Sequence, residues 1–137
     1  MTLDALKYSV IESYTDSVSE IEFWSNGIVY YKLKDNTTIE LEDSKQQFLF
    51  LKSRFNGVNK HTVLVEPGFD TGLSKEAREF SSKPESNEMT AATAVIVKSL
   101  AHRILINFII KFTHQQTMKM RMFDDKQKAI DWLLTFK

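Results

Sequence analysis

A short stretch near the middle of the chain, VEPGFDTGLSKEAREF (65–80), brings together the side chains best suited to chemistry. Asp70 and Thr71 precede Gly72, and Ser74 follows shortly after. A hydroxyl at the start of a helix can accept a phosphoryl group, because the free N–H groups and the dipole of the first turn stabilise the added anion. Ser74 can equally be a plain helix cap, since serine hydroxyls accept hydrogen bonds from those N–H groups. The pattern leaves both interpretations open, a phosphorylation switch and a turn into a helix.

The carboxylate and histidine side chains give weaker indications of a catalytic or metal site than the hydroxyls give of a phosphorylation site. Glu66 and Asp70 flank the end of an apolar strand, where active sites of α/β proteins often lie, but no third group completes a catalytic set. His61, His102 and His114 have no metal-ligand spacing to one another or to carboxylates. The sequence has no cysteine, no G-x-S-x-G elbow and no glycine-rich phosphate loop. We therefore predict that the protein is not an enzyme and uses no cofactor or metal.

Charge and composition exclude several classes of partner. The chain has 137 residues, and its 18 basic residues balance 18 acidic ones. A neutral chain has no net electrostatic reason to bind nucleic acid or an anionic membrane surface. The longest apolar run, ILINFII (104–110), is too short to span a bilayer, and the first residues do not resemble a signal peptide. We expect one domain in the cytoplasm, without a nucleic-acid partner or an integral membrane segment.

Strand patterns alternate with helix patterns, which is typical of a mostly parallel sheet. Asn26-Gly27 between two β-rich runs predicts a hairpin with a type I′ turn, in which both residues have positive φ. TVLVEP (62–67) and TAATAVIV (90–97) are continuous apolar runs typical of buried parallel strands. Residues 1–17 are expected to form an irregular segment.

The last strand and its helix show clear local signals. MKMRMF (118–123) alternates strictly between methionine and basic residues, which predicts a half-exposed strand at or near a sheet edge. Its inner face would carry Met118, Met120 and Met122, and its outer face Lys119 and Arg121. A helix follows, and the spacing of Asp124 and Gln127 matches a capping box.

The helix predicted after Ser99 has more apolar residues than one buried stripe requires. We expect an inward stripe with His102 at the solvated start of the helix. The stripe comprises Leu100, Ala101, Ile104, Leu105, Phe108, Ile109 and Phe112. Ile106 and Ile110 fall on a different side, which can be further core, a surface for self-association or the wall of a ligand site.

Phrases across the chain, from about residue 18 onward, resemble the STAS/SpoIIAA-like proteins, and among them an uncharacterised bacterial branch of small single-domain members. These phrases include SNGIVY (25–30), KEAR (75–78) and FDDKQKAIDWL (123–133). The resemblance implies an α/β fold with a mixed, mostly parallel sheet, an N-terminal β-hairpin and about four helices. It also implies a non-catalytic domain, since the better-known members are anti-sigma-factor antagonists.

In those relatives a partner kinase phosphorylates a Ser or Thr that follows an Asp at the end of a parallel strand. The resemblance thus implies docking through Asp70, Thr71, Ser74 and Arg78, with Thr71 or Ser74 as the phosphate acceptor. This chain has one hydroxyl before Gly72 where those relatives have two.

Two functional hypotheses follow. The first is a small non-enzymatic regulatory or protein-interaction module with an unidentified protein partner. The alternative is a binding protein for a small apolar ligand or a lipid. A concave pocket beside Ile106 and Ile110 would favour the ligand, and a flat exposed face would favour a protein partner. A weak homodimer through Ile106 or Ile110 is a further expectation.

Overall fold

A six-stranded sheet organises the molecule. The computed structural model describes residues 8–113 and 119–136. Its elements are β1 (Val10–Thr15), β2 (Ser19–Trp24), β3 (Ile28–Leu33), β4 (Thr38–Ile39), α1 (Leu41–Ser53), β5 (His61–Glu66), β6 (Gly72–Leu73), α2 (Lys75–Ser82), a 3₁₀ turn (Pro84–Asn87), β7 (Thr90–Ile96), α3 (Leu100–Thr113), β8 (Lys119–Phe123) and α4 (Lys126–Leu134).

The strand order in this sheet is β1-β2-β3-β5-β7-β8. The first three strands pair antiparallel, and β3, β5, β7 and β8 run parallel. Because parallel neighbours need long crossovers, a helix lies on each connection between them. β4 and β6 form a separate short parallel pair. The predicted mixed, mostly parallel sheet with an N-terminal hairpin and four helices is confirmed.

β1 corrects the expectation of an irregular segment over residues 1–17, of which residues 1–7 lie outside the described part. Residues 10–15 pair antiparallel with β2, with Tyr14 opposite Ile21. Tyr14 also stacks on Phe50 of α1, with ring centroids 4.4 Å apart. Val10, Ile11 and Thr15 are β-branched and Tyr14 is aromatic, so the segment favours a strand, and its pairing with β2 and packing on α1 decide the conformation.

The hairpin between β2 and β3 forms with a different turn. Gly27 has a φ of 92°, but Asn26 is not among the residues with positive φ. The Gly27 N–H donates to the Trp24 carbonyl at 3.0 Å, and the Asn26 side chain accepts from the Ile28 N–H at 3.1 Å. The loop has Ser25 in addition to Asn-Gly, and longer hairpin loops of this kind place only the glycine in the left-handed region. The type I′ prediction is therefore wrong.

Helix starts follow the capping signals closely. The Ser99 hydroxyl accepts from the His102 N–H at 3.1 Å, which confirms the predicted cap of α3. In α4 the cap is Asp125, which accepts from the Gln127 N–H at 3.0 Å, and not Asp124. Because two aspartates are adjacent, spacing alone selected the wrong one.

Helices cover both faces of the sheet. α4 packs on one face, in a buried cluster that comprises Trp24, Ile28, Tyr30, Leu64, Ala92, Ala94, Ile96, Ala129, Ile130 and Leu133. On the other face, Leu51 of α1 packs against Ile21, Val29, Tyr31 and Val63. Successive strand residues point to opposite faces, so β2, β3 and β5 each supply both clusters.

β8 lies at the edge of the sheet, as predicted. Met120 and Met122 are half-buried, whereas Lys119 and Arg121 are exposed. The predicted alternation is confirmed for these four residues, and Met118 lies outside the described part.

Candidate functional site

The segment after β5 is fastened to the loop between β3 and α1. A Cβ atom at Gly68 would lie 2.8 Å from the Leu33 carbonyl oxygen and 2.8 Å from the Asp35 nitrogen, so only glycine fits this approach. Four hydrogen bonds donated by backbone N–H groups join the same two segments. Two involve Phe69: its N–H donates to Asp35 Oδ1 at 2.8 Å, and its carbonyl accepts from the Asn36 N–H at 2.7 Å. Further along, the Gly72 N–H donates to the Thr37 carbonyl at 2.9 Å and the Ser74 N–H to the Ile39 carbonyl at 3.0 Å. The stretch around Asp70 is therefore a rigidly held corner.

Thr71 points into that corner. Its side-chain hydroxyl donates to the Lys34 carbonyl at 2.8 Å and accepts from the Gly68 N–H at 2.8 Å. The residue is only 8% exposed. Because the oxygen is buried and already makes two hydrogen bonds, it is not accessible to a kinase in this conformation. The folded domain therefore gives no support to Thr71 as a phosphate acceptor, and that assignment stays a prediction.

The other residues of the predicted docking site have structural partners as well. The Ser74 hydroxyl accepts from the Ala77 N–H at 3.1 Å, so it is the cap of α2. Asp70 is exposed and has a φ of 57°, which places it at the bend of the turn. The Arg78 guanidinium donates to the Leu73 carbonyl at 3.0 Å. The corner holds all four predicted residues, but Asp70 faces solvent whereas Thr71 faces the interior.

The exposed face of α3 is the one predicted to be buried. Leu100 is 72% exposed, Ile104 62% and Phe108 45%, and Ala101 is also exposed. These residues lie three and four positions apart and share one side of the helix. The side chains of Ile109 and Phe112 lie outside the described part. Since both sides of α3 are apolar, periodicity could not tell which one meets the sheet.

The buried face of α3 carries His102, Leu105 and Ile106, which follow the i, i+3, i+4 spacing of one helix face. His102 was expected at a solvated helix start and is instead only 8% exposed. Ile106 lies inward, and Ile110 is half-buried. The i, i+3, i+4 spacing could have predicted this buried face from the sequence. It was missed because His102 is polar, whereas its neighbours on this face are apolar.

A cavity of about 240 Å³ lies between this helix face and the sheet. Val63, Val65, Thr93 and Val95 of β5 and β7 form its floor. Its walls include Phe48 of α1, Phe80 of α2, Leu105 and Ile106 of α3, and Met120 of β8. The floor side chains are short, which leaves room beneath the three helices.

The lining is mostly apolar and has neither acidic nor basic residues apart from His102, within the described residues. Its uncharged polar groups include the hydroxyls of Thr71 and Thr93 and the amides of Gln47 and Asn87. The His102 Nε2 lies 3.2 Å from the Thr71 carbonyl oxygen, whereas Nδ1 is buried without a hydrogen-bond partner in the described structure. Such a lining suits a molecule that is uncharged and mainly apolar.

Glu66 lies at the end of β5. It accepts from the Tyr30 hydroxyl at 2.6 Å and from Lys98 Nζ at 3.0 Å, and Lys126 and Lys32 lie within 3.5 and 3.9 Å. Burial by itself raises the pKa of this carboxyl, but the hydrogen bonds from Tyr30 and Lys98 and the charges of the lysines outweigh it and lower the pKa to about 2. Glu66 is an ion-pair acceptor, so its hypothesised role beside Asp70 in catalysis gains no support.

Residues 8–113 and 119–136 present neither a metal-binding cluster nor a membrane-spanning helix. No group of three or more His, Asp or Glu side chains there is placed to hold a metal ion. No helix there combines the length and apolar character that crossing a bilayer requires.

The architecture is that of an α/β protein with a SpoIIAA-like fold. A crystal structure of an uncharacterized protein of the DUF3478 family, described as having a SpoIIAA-like fold and coming from Shewanella loihica PV-4, is similar to this chain with a TM-score of 0.59. The similarity covers 92% of this chain and 93% of that one at 17% sequence identity. The resemblance stated from the sequence is thereby confirmed for the fold.

The chain belongs to a family described as a domain of unknown function, DUF7793, whose model matches residues 22–137. No curated protein matches the sequence. A shared fold does not by itself determine function.

Proposed function

We propose that this protein is a non-enzymatic binding module that holds a small, uncharged, mostly apolar molecule between the sheet and helices α1, α2 and α3. The observation that supports this most strongly is the cavity of about 240 Å³ with its uncharged lining in the described structure. An apolar cavity of about 150 Å³ holds a benzene molecule, so one of this size would hold roughly ten non-hydrogen atoms.

The candidate catalytic groups support a role without chemistry. The hydroxyls of Thr71 and Ser74 are engaged in backbone hydrogen bonds, and Glu66 is engaged by Tyr30 and lysines. A nucleophile needs a free lone pair and a base within hydrogen-bond reach, and none of these groups offers that arrangement. Binding, rather than turnover, is the function that this geometry favours.

A matched pair of substitutions on α3 tests the proposal. Ile106→Trp places a large ring in the cavity, whereas Ile104→Trp places the same ring on the exposed face. Binding of butylbenzene can be followed by the amide shifts of cavity residues in NMR titrations. We expect Ile106→Trp to weaken binding about tenfold, because displacing two methylene groups of a ligand costs about 1.6 kcal/mol. Ile104→Trp should bind like the wild type.

Two outcomes would contradict the proposal. One is a wild-type protein whose cavity amides do not shift up to the solubility limit of the hydrocarbon. The other is equal affinity in the two tryptophan variants, which would place the ligand elsewhere.

A second candidate function rests on the exposed side of α3. Leu100, Ile104 and Phe108 form an apolar strip on the surface, and such strips often meet protein partners. A regulatory or interaction module, as the SpoIIAA-like resemblance implies, would use this strip. The weak homodimer predicted through Ile106 or Ile110 would also have to use this strip instead, because Ile106 lines the cavity and Ile110 is half-buried. Sedimentation of the wild type and of Ile104→Asp tests this. A wild type that stays monomeric at high micromolar concentration rejects the homodimer.

A further inference from the structure

His102 occupies a fixed position at the start of α3. The Ser99 hydroxyl accepts from its backbone N–H, and His102 as a whole is only 8% exposed. The ring Nε2 lies 3.2 Å from the Thr71 carbonyl oxygen. A carbonyl oxygen can only accept, so the proton of the neutral ring resides on Nε2. Nδ1 then presents a lone pair and is an acceptor.

That acceptor has no donor in the described structure. Nδ1 is buried, and neither a backbone N–H nor a side chain of residues 8–113 and 119–136 bonds to it. A buried polar atom without a partner is unfavourable, which makes it a site where a ligand gains affinity by supplying the missing bond. The same imidazole lines the cavity, so the missing donor can come from a molecule bound there.

We propose that the ligand carries one hydroxyl group, which donates to Nδ1 of His102 while the rest of the molecule fills the apolar part of the cavity. This inference rests on the proposed function and narrows the ligand class to small alcohols and phenols of roughly ten non-hydrogen atoms. A carboxylate lacks a donor and would find no lysine or arginine in the described lining. An aliphatic amine is a cation at neutral pH and would find no acidic partner there.

Three probes of matched shape separate the possibilities. They are 3-phenylpropan-1-ol, butylbenzene and 3-phenylpropanoate, titrated into the whole protein by calorimetry and NMR. We expect the alcohol to bind about tenfold more tightly than the hydrocarbon, as one buried hydrogen bond allows. The carboxylate should bind more weakly than both, because it would be buried as an unpaired charge.

Two variants connect the preference to Nδ1. In His102→Gln the terminal amide can still reach the Thr71 carbonyl, but no acceptor remains at the position of Nδ1. We expect the affinities for alcohol and hydrocarbon to become equal. In His102→Asn an amide oxygen lies near the position of Nδ1, and part of the preference should return. A His102→Gln protein that still prefers the alcohol overturns the inference.

The outcomes also separate this inference from the proposed function. If the wild type binds none of the probes, the proposed function fails and this inference fails with it. If alcohol and hydrocarbon bind equally, the cavity is a binding site but the hydroxyl assignment is wrong. Should the variants fail to fold, the ¹⁵N resonances of the wild-type imidazole decide. Nδ1 should shift with the alcohol and not with butylbenzene, and an Nδ1 resonance that the alcohol leaves unchanged overturns the assignment.

Discussion

Replacing Glu66 with glutamine removes the charge at the centre of a lysine cluster, and we expect the domain to lose stability at neutral pH. The carboxylate joins β5 to β3, to α4 and to the loop after β7, because it accepts from Tyr30 of β3 and from Lys98 of that loop and lies beside Lys126 of α4. Glutamine keeps the shape and one oxygen acceptor, but it cannot balance the nearby ammonium groups. The Tyr30 hydroxyl would also lose its charged acceptor, and hydrogen bonds to charged groups are the stronger ones.

The magnitude follows from the lowered pKa. The pKa of Glu66 falls from the usual 4.5 to about 2, and at about 1.4 kcal/mol per unit this corresponds to at most about 3.4 kcal/mol of folding free energy. The lysines are about half exposed, so solvent screens their attraction. Discounting for this screening leaves about 1–2 kcal/mol. Since the folded-state pKa is lowered, the contribution is fully present above the unfolded-state pKa and is lost as the pH falls toward 2.

Urea unfolding of the wild type and of Glu66→Gln at pH 7, 4 and 2.5 measures this contribution. The wild type should be more stable by about 1–2 kcal/mol at pH 7, and the gap should shrink steadily with acid. Glu12→Gln is the matched control, because Glu12 pairs with Arg54 on the surface. It should change stability much less. A gap that is equal at all three pH values, or absent at pH 7, would refute the reasoning.

Two further predictions concern the corner and the edge strand. Thr71→Val keeps the shape of the side chain but removes the hydroxyl that joins Gly68 to Lys34, so the free energy of unfolding should fall by about 1–3 kcal/mol in urea titrations. Stability equal to that of the wild type would show that water replaces these bonds. Met120→Lys places an ammonium group beside the apolar cavity and should lower stability by more than about 1 kcal/mol, whereas Lys119→Ser on the exposed face should change it by about 0.5 kcal/mol or less. Equal melting temperatures for these two variants would mean that the register of β8 is wrong.

Local patterns were sufficient for much of the fold. Ser74 and Ser99 cap their helices as predicted, because a cap depends only on the residue and on the N–H groups that follow it. Met120 and Lys119 lie on opposite faces of β8, because alternation is inherent to a strand. Local patterns failed where two neighbouring residues suited the same role equally well. At the start of α4, Asp124 and Asp125 can both cap the helix, and the structure uses Asp125.

The candidate site depended on contacts between distant segments. The carbonyl of Lys34 determines that the Thr71 hydroxyl is buried, and no pattern near Thr71 encodes this contact. The orientation of α3 has a similar origin. Both sides of the helix are apolar, so its sequence does not say which side faces the sheet. In the structure, the side with His102 and Ile106 faces inward, and His102 contacts the Thr71 carbonyl there.

By itself, the sequence determined the class of fold, the order and limits of most elements, and the neutral net charge. These properties follow from short-range periodicity, capping and composition, which each segment carries on its own. Only the tertiary structure decided that Thr71 is buried, that Leu100, Ile104 and Phe108 face solvent, and that a cavity lies beneath α3. The physical reason is that burial and empty volume are properties of packed surfaces, which form only when segments far apart in the chain come together.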